Sequence, residues 1–460
     1  MTHAQFAGRL EDARLLTGTG CYTADWNFPG QAHAVFLRSD RAHAQIRSID
    51  AQAARAMPGV IAILTAADVQ KAGYKTIPVN MPAKHRDGRE AWKPARPILA
   101  VDKVRYVGEC VACVVAESVQ QALDAAEAIV VDYQDLPAVT DAMAALESGA
   151  PQLHAQVPGN IALDFETGDE AKTKAGFAGA AHVVDLLVYN NRVIAQPLEP
   201  RACAATWDAA SDMHTLYCCS QGVSNQAALL VGATGLPGAK VSVVARDVGG
   251  GFGARSALYP EYVAVLLAAR LTGRPVKWTG TRSEVFLNDD HARDCYTRGE
   301  LALDKDGRFL GMRFDFVQNL GAYSSPNCTS PATGSAINCL TGVYDVPAAW
   351  IRSRVVLTNT TNTAAYRGSG RPLMSYILER LVDQAAQDLK IDAVELRRRN
   401  FIPTSRFPYK QVHGVELDCG DFPTMLDKAL KQADWAGFDA RLAESARRGK
   451  LRGRGIATFI

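Results

Sequence analysis

A glycine-rich loop constrains the fold of this chain more than any other local feature. Four glycines fall within five positions, between the valine-rich stretch VSVVARDV and a helix-like apolar stretch: Gly249, Gly250, Gly251 and Gly253. Because glycine has no Cβ, its backbone can approach a ligand closely. A helix after the loop would offer free N–H groups to an anion. The pattern therefore predicts a strand, a ligand-binding loop and a helix in that order.

The same loop also fits the dinucleotide-binding pattern G-x-G-x-x-A, at Gly249, Gly251 and Ala254. A nicotinamide site requires in addition an acidic residue at the end of the next strand, about 20 residues on. The next strand-like stretch is RPVKWTG, and the first acid after it is Glu284. An NAD-dependent oxidoreductase is therefore a less favoured interpretation.

A second glycine-rich turn, AYRGSGRP, carries Arg367 and Arg371 and precedes a helix-like stretch. Its position favours an anionic or oxygen-rich ligand, although a plain structural turn would also explain it. Two further polar groups are by themselves typical of side chains whose hydrogen bonds are satisfied within the fold. They are Gln221, in SQG, and the pair Glu199 and Arg201, in PLEPR.

Composition excludes several classes of protein. The 460 residues include 50 Lys and Arg against 48 Asp and Glu, a formal net charge of +2, so there is no basic field to bind nucleic acid. With no apolar run of about 18 residues and no apolar secretion signal near the start, we expect a cytoplasmic protein without a membrane span. The ten cysteines are scattered, and Cys110 and Cys113 stand in a valine-rich strand pattern, which favours buried reduced thiols over a metal or redox site.

The hydrophobic periodicity predicts an α+β chain. Strand-like and helix-like stretches mix up to about residue 140, and an Ala-, Gly- and Pro-rich connector follows over 141–180. Further strands, among them KWTGTRSEVFL, precede the long helix LMSYILERLVDQAAQDLKI and more helices. The stretch LRGRGIATFI has a strand pattern. We expect it to pair with a strand from elsewhere, because an unpaired edge would otherwise be exposed.

Ten separated segments together resemble the molybdenum-binding large subunit of the xanthine dehydrogenase and aldehyde oxidase family of molybdo-hydroxylases. In chain order they are GRLEDARLLTGTGCYTAD, HAVFLRSDRAHAQI, VRYVGECVACVVAES, DYQDLPAV, QPLEPRAC, SQGVSNQ, GGGFGAR, NLGAY, AYRGSGRP and ELRRRNFI. Their number and order make the resemblance specific. It implies an α/β hammerhead-like domain over 1–145, a connector over 146–175, a first mixed-sheet molybdopterin-binding domain over 176–423, and the start of a second such domain over 424–460.

The resemblance implies a molybdopterin cofactor, in the cytosine dinucleotide form, whose dithiolene holds molybdenum without a protein ligand. By position, Gln221 corresponds to the side-chain donor to the metal's oxo group, and Arg367 corresponds to the family's active-site arginine. Further contacts of the protein with the cofactor are implied at Gly250, Gly251, Phe252, Gly253 and Gly368. Glu199 and Arg201 match a recurring motif, which we interpret as structural.

The implied reaction inserts water-derived oxygen into a carbon atom and sends electrons to [2Fe-2S] clusters and FAD on partner subunits. The family's general base is a glutamate far along the second molybdopterin domain, which barely begins here. We therefore expect a partner chain to supply that glutamate and the rest of the pocket, as in nicotinate dehydrogenase, where two polypeptides share the molybdenum domain. A truncated chain, and a non-catalytic assembly protein of the same fold, are the alternatives.

Three positions narrow the substrate. Carbon monoxide dehydrogenases carry a copper-holding Cys where this chain has Gly368, so CO chemistry is not expected. Purine-oxidising members carry Glu and Phe where Ser256 and Ser369 stand, so these two pocket residues do not favour a purine. An N-heteroaromatic or an aldehyde substrate remains open.

Overall fold

The computed structural model describes residues 8–79, 81–326 and 328–460. The α-helices in these ranges are α1 Asp12–Leu16, α2 Gln52–Arg55, α3 Ala66–Lys71, α4 Val119–Glu127, α5 Glu170–Ala178, α6 Val223–Thr234, α7 Pro260–Thr272, α8 Arg282–Asn288, α9 Gly334–Ile337, α10 Arg371–Leu389, α11 Ala393–Asn400, α12 Phe422–Gln432 and α13 Phe438–Arg447. The strands are β1 Ala32–Arg38, β2 Ala44–Asp50, β3 Val60–Leu64, β4 Lys103–Val104, β5 Cys110–Ala116, β6 Val130–Asp135, β7 Ile161–Gly168, β8 His182–Asn190, β9 Ala202–Asp208, β10 Met213–Cys218, β11 Val241–Val244, β12 Val276–Thr279, β13 Cys295–Leu303, β14 Phe309–Gly321, β15 Ala349–Leu357, β16 Tyr409–Lys410 and β17 Glu416–Leu417.

The largest sheet has seven strands in the order β11-β10-β9-β12-β1-β5-β3. The β10–β11 and β1–β12 neighbours are parallel and the others antiparallel, so the sheet is mixed, as the α+β prediction requires. Strands from 32–116 and from 202–279 share this sheet. Side chains of β5 point alternately to the two faces of the sheet and join a different hydrophobic core on each face. Helix α4 belongs to one of these cores and α7 to the other, so the two helices pack on opposite faces of the sheet.

A second mixed sheet has five strands in the order β7-β15-β14-β13-β8, with only β14 and β15 parallel. Helix α10 packs on β13 and β8 and buries Leu373, Ile377 and Leu381 in the larger core. Two smaller antiparallel sheets, β4-β2-β6 and β16-β17, complete the strands. Within the described ranges, no helix combines the length and the apolar character needed to cross a membrane.

Two local predictions need correction. Of the stretch KWTGTRSEVFL, residues 277–287, only 277–279 lie in a strand, β12; residues 282–287 lie in α8, because Thr281 and Glu284 make a capping box that starts a helix. Strand β7 and helix α5 lie inside the stretch interpreted as a connector. Residues 451–460 form no strand within this chain: Arg397 donates to Ile456 O and Thr458 Oγ1 donates to Glu379 Oε1, and the expected pairing with a strand of another chain stays a prediction.

The cysteine pair in β5 is confirmed as part of the packed interior. Cys110 and Cys113 are buried, and burial raises the pKa of Cys110 to about 12. In the part of the chain that the structure describes, no three His, Cys, Asp or Glu residues are grouped so as to hold a metal ion.

Candidate active site

The sheet topology brings Gln221 and the glycine loop together. Strands β10 and β11 are parallel neighbours, so their carboxyl ends lie at the same edge of the seven-stranded sheet. Gln221 follows β10, and the glycine loop, residues 249–253, follows β11. Gln221 Oε1 accepts hydrogen bonds from the backbone N–H groups of Gly253, at 2.7 Å, and Arg255, at 3.2 Å. The side chain is thus fixed with its amide nitrogen left available.

Each glycine of the loop lies against another segment of the chain. A Cβ on Gly251 would lie 2.6 Å from Gln221 Cδ, one on Gly249 would lie 2.4 Å from Glu199 Cβ, and one on Gly253 would lie 2.4 Å from a backbone oxygen of residue 365. The glycines are therefore required first for the packing of segments on one another, before any ligand is considered.

The helix predicted after the glycine loop is α7, and it does not begin directly at the loop. A short 3-10 turn, Ala254–Ser256, follows the loop, and α7 starts only at Pro260, where it is buried. A dinucleotide fingerprint needs the helix N-terminus at the loop itself. The geometry therefore disfavours the NAD interpretation.

Three successive amides of the loop nevertheless remain free. Within the described residues, the N–H groups of Gly250, Gly251 and Phe252 have no acceptor, and neither does Nε2 of Gln221. Phe252 has a φ of 55°, in the left-handed region that non-glycine residues rarely adopt, and its side chain is 43% exposed. Consecutive free N–H groups of this kind form a concavity suited to an oxygen-rich or anionic ligand.

Arg367 joins this site from the five-stranded side of the molecule. Its backbone N–H donates to Phe252 O at 2.9 Å, and its guanidinium carbon lies 5.9 Å from the centre of the Phe252 ring. The Arg367 side chain is exposed, and its guanidinium has no hydrogen bond or ion pair to any described residue. We name the Gly250, Gly251 and Phe252 amides, the Gln221 amide and the Arg367 guanidinium the open face.

The remaining predicted residues lie in the same region. Ser256 Oγ donates to Gly253 O at 2.6 Å, so this hydroxyl is used inside the loop. Ser369 has a φ of 53°, and its Oγ lies 3.5 Å from Ser330 Oγ. Gly368 has a φ of 84°, and a Cβ there would lie 2.7 Å from Pro372 Cγ.

Behind the loop lies a buried layer of charge that we name the back wall: Arg201, Arg255, Glu261 and Asp289, each at most 1% exposed. Arg201 donates to Glu261 Oε1 at 2.9 Å and to Asp289 Oδ1 at 2.6 Å, and Arg255 donates to Asp289 Oδ2 at 2.7 Å. Burial alone would raise the pKa of Glu261, but Arg201 and Arg38 outweigh burial and hold that pKa well below its usual range. The interpretation of Arg201 as structural agrees with this arrangement.

Glu199 connects the loop to the N-terminal part of the chain. Its Oε2 accepts from Gly249 N at 2.7 Å, and its Oε1 accepts from Thr23 N at 2.9 Å. The sequence did not predict this bridge. It also did not predict the contacts of Arg255 with Asp289, or those that Arg282 and Arg293 make with the carbonyl oxygens of distant loops. No local pattern could reveal them, because their partners lie tens of residues away in the sequence.

Comparison with known proteins supports the resemblance. The family model for the molybdopterin cofactor-binding domain matches residues 153–401, more than half of the chain. The chain belongs to the molybdopterin cofactor-binding domain family. The model for the aldehyde oxidase and xanthine dehydrogenase a/b hammerhead domain matches residues 17–137. The predicted order of a hammerhead domain before a molybdopterin-binding domain is thereby confirmed.

Relatives of the chain are oxidoreductases or their subunits. It is 36% identical to the carbon monoxide dehydrogenase large chain of Hydrogenophaga pseudoflava, over 98% of this chain and 57% of that protein. The crystal structure of quinoline 2-oxidoreductase from Pseudomonas putida 86 superimposes with a TM-score of 0.90 at 35% identity, over 96% of this chain and 55% of that one. The chain thus spans a little over half the length of both proteins.

A third relative is closer in length. The nicotinate dehydrogenase large molybdopterin subunit of Eubacterium barkeri is 28% identical over 85% of this chain and 87% of its own length.

The open face fits a molybdopterin. This cofactor brings its own metal ligands, so the protein must offer hydrogen-bond donors rather than ligating side chains. The Gln221 amide, the three loop amides and the Arg367 guanidinium are such donors, and the structure leaves them free. The residues predicted for the site thus meet at one place.

Proposed function

We propose that this chain forms one side of the active site of a molybdenum hydroxylase, which inserts water-derived oxygen into a carbon atom of an N-heteroaromatic or aldehyde substrate. The observation that carries the proposal is the convergence of free donors on the open face. Three backbone amides, one side-chain amide and one guanidinium, from segments far apart in the sequence, meet there without acceptors among the described residues.

Bound molybdopterin would supply the metal and the two-electron redox chemistry. Gln221 Nε2 would donate a hydrogen bond to an oxygen of the metal centre, in an orientation that the bonds to Oε1 already fix. The Gly250 and Gly251 amides would orient the pterin. Arg367 would stabilise negative charge on the substrate or the cofactor. The Phe252 ring, between these groups, would exclude water from one side.

The general base is proposed to come from another molybdenum-domain chain. Glu199 contacts the glycine loop, but both of its carboxylate oxygens are already bonded, to Gly249 N and Thr23 N. Asp247 is likewise engaged, by Arg14 and by Cys21 N. The match over most of the nicotinate dehydrogenase large molybdopterin subunit supports a separate large-subunit chain of this kind.

We propose the cytosine dinucleotide form of the cofactor, with [2Fe-2S] clusters and FAD on partner subunits. The names of the relatives, a large chain and a large molybdopterin subunit, support membership of a multi-subunit enzyme. The ten cysteines are scattered along the sequence and eight of them are buried, which supports iron–sulfur clusters held by other subunits. Free thiols also support a cytoplasmic location.

The substrate is proposed to be an N-heteroaromatic or an aldehyde rather than CO. Position 368 has no thiol to hold copper, and its left-handed backbone and the contact with Pro372 disfavour a longer side chain.

Replacement of Gln221 or Arg367 by Ala in the enzyme assembled with its partner subunits tests the proposal. We expect kcat on a nicotinate or quinoline substrate to fall by more than about tenfold per molybdenum bound, with the fold intact by circular dichroism. Wild-type rates in both variants would remove these residues from the site.

Full cofactor loading of the isolated chain would argue against a second molybdenum-domain chain. An assembled complex with no hydroxylase activity would favour an assembly protein.

A further inference from the structure

One segment runs between the two loops that border the glycine loop. We name residues 281–294, which include α8, the bridging segment. On one side, the backbones of Ala292 and Val193 exchange two hydrogen bonds, at 2.9 and 3.1 Å. On the other side, Ala364 N donates to His291 O at 2.9 Å. The bridging segment is therefore bonded to both loops through its backbone.

At one end of this segment, Arg282 binds the loop that precedes β9. Its guanidinium donates to Gln196 Oε1 at 2.8 Å, to Pro197 O at 2.7 Å and to Leu198 O at 2.9 Å. The same loop packs on the glycine loop, since a Cβ on Gly250 would lie 3.2 Å from Pro197 Cβ. Arg282 thus holds the segment that supports the first half of the glycine loop.

At the other end, Arg293 binds the turn that carries Arg367. Its guanidinium donates to Tyr366 O at 3.0 Å, to Ser369 O at 2.7 Å and to Arg367 O at 2.7 Å. No Asp or Glu in the described part of the chain forms an ion pair with Arg293; its charge faces these carbonyl oxygens and the Tyr366 ring, whose centre lies 5.3 Å from the guanidinium carbon. Only a planar guanidinium offers several donors in a fixed fork, and a lysine cannot replace this geometry.

The backbone at Arg293 is strained in a way that the surroundings maintain. Arg293 and Asp294 have consecutive φ values of 66° and 56°, both left-handed. Such conformations cost free energy and persist only where other contacts impose them. Asp294 supplies those contacts, since its carboxylate accepts from Arg192 Nε at 2.8 Å and from Asn319 Nδ2 at 3.0 Å.

We propose that Arg282 and Arg293 are positioning residues, which set the two loops relative to the glycine loop and so place the Arg367 guanidinium opposite Gln221. The inference rests on the proposed function, because it assigns a purpose to the same site. Neither arginine is placed on the open face. Both act through the carbonyl oxygens of residues that border it.

The test is amide hydrogen exchange of the peptide spanning 365–371, in the assembled enzyme carrying Arg293→Ala. Loss of three charge-assisted hydrogen bonds should speed exchange in this peptide by at least about tenfold, with exchange in β9 and α7 unchanged. Arg298→Ala is the matched control, because this exposed arginine five residues further on has Asp185 as its one ion-pair partner among the described residues. Arg293→Lys keeps the charge and should give an intermediate rate, which covers the case in which the alanine variant folds poorly.

Added methylguanidinium should occupy the place of the missing guanidinium in Arg293→Ala. It should then slow exchange in the 365–371 peptide and restore part of the kcat that the substitution removes, which a general loss of folded structure would not allow. Unchanged exchange in the 365–371 peptide, or an equal change in Arg298→Ala, would overturn the proposal. A different result would contradict the proposed function. In that case Arg367→Ala would keep the wild-type kcat, while Arg293→Ala would still show faster exchange in the 365–371 peptide.

Discussion

The back wall and the open face both adjoin the glycine loop and use their polar groups in opposite ways. In the back wall, Arg201, Arg255, Glu261 and Asp289 are buried and pair with one another. On the open face, Gln221, Arg367 and three amides have free donors. Unpaired buried charges would destabilise the fold, whereas neutral amides and an exposed guanidinium without acceptors can bind a ligand. Substitutions behind the loop should therefore change stability, and substitutions in front of it should change activity.

The largest effect is expected for Glu261→Gln in the back wall. The substitution keeps the size of the side chain but leaves Arg201 and Arg38 without their common carboxylate, so the free energy of unfolding should fall by about 3–5 kcal/mol. Urea denaturation measures this change. The control is Glu170→Gln, whose partner Lys174 lies on the surface, and its denaturation midpoint should not move. A small loss in Glu261→Gln would mean that the back wall does not stabilise the fold.

The next effect concerns pH and Asp290, which is buried beside the back wall with Arg96 Nη1 3.8 Å away. Burial raises the pKa of Asp290 to about 6, against about 3.9 in an unfolded chain. The folded state then holds a proton that the unfolded state releases, so this carboxyl lowers stability as the pH rises from about 4 to about 6.

Asp290→Asn removes this titration. The free energy of unfolding of the variant relative to the wild type should rise by up to about 2–3 kcal/mol between pH 4 and pH 7.5. Urea denaturation at both pH values checks this, with Asp124→Asn on the exposed side of α4 as the control. A difference that stays constant with pH would show that Asp290 is already ionised at pH 4 in the folded protein.

The boundary between the two regions can be tested at Gly251. A methyl group from Gly251→Ala would collide with the Gln221 side chain, at 2.6 Å from Cδ, and displace its amide. We expect kcat of the assembled enzyme to fall about tenfold, or about 1.4 kcal/mol in activation free energy. Gly238→Ala is the matched control, because no atom lies within 4 Å of its added methyl group. Equal activity of the two variants would show that the position of Gln221 is not important.

The smallest effect is expected for the thiols. Of the ten cysteines, Cys419 is exposed and Cys21 is partly exposed, while the other eight are buried. A thiol reagent should therefore react rapidly with two thiols of the native chain and with all ten after unfolding. Rapid reaction of Cys110 or Cys219 would show that water reaches the region of the back wall.

The sequence predicted the composition of the open face better than that of the back wall. Gln221, Phe252 and Arg367 were identified through short motifs that match the family by position, and the structure brings them together. Glu261 and Asp289 stand in no motif. Their role arises from contacts across the fold, such as the pairing of Asp289 with Arg201, which local patterns do not encode.

The errors in secondary structure have equally specific causes. The apolar residues Val285, Phe286 and Leu287 prolonged a strand pattern, although the capping box at Thr281 and Glu284 signals a helix. Strand β7 was missed because its alternation lies in a region dominated by Ala, Gly and charged residues. Apolar periodicity alone does not separate short strands from short helices.

The central claim is that the open face binds the molybdenum cofactor. The most direct measurement is a crystal structure of the assembled enzyme with anomalous diffraction at the molybdenum absorption edge. We predict one anomalous peak per chain over Phe252 and Gly253, with an oxygen of the metal centre in hydrogen-bond reach of Gln221 Nε2. A peak far from the glycine loop, or a different prosthetic group between Gln221 and Arg367, would contradict the account.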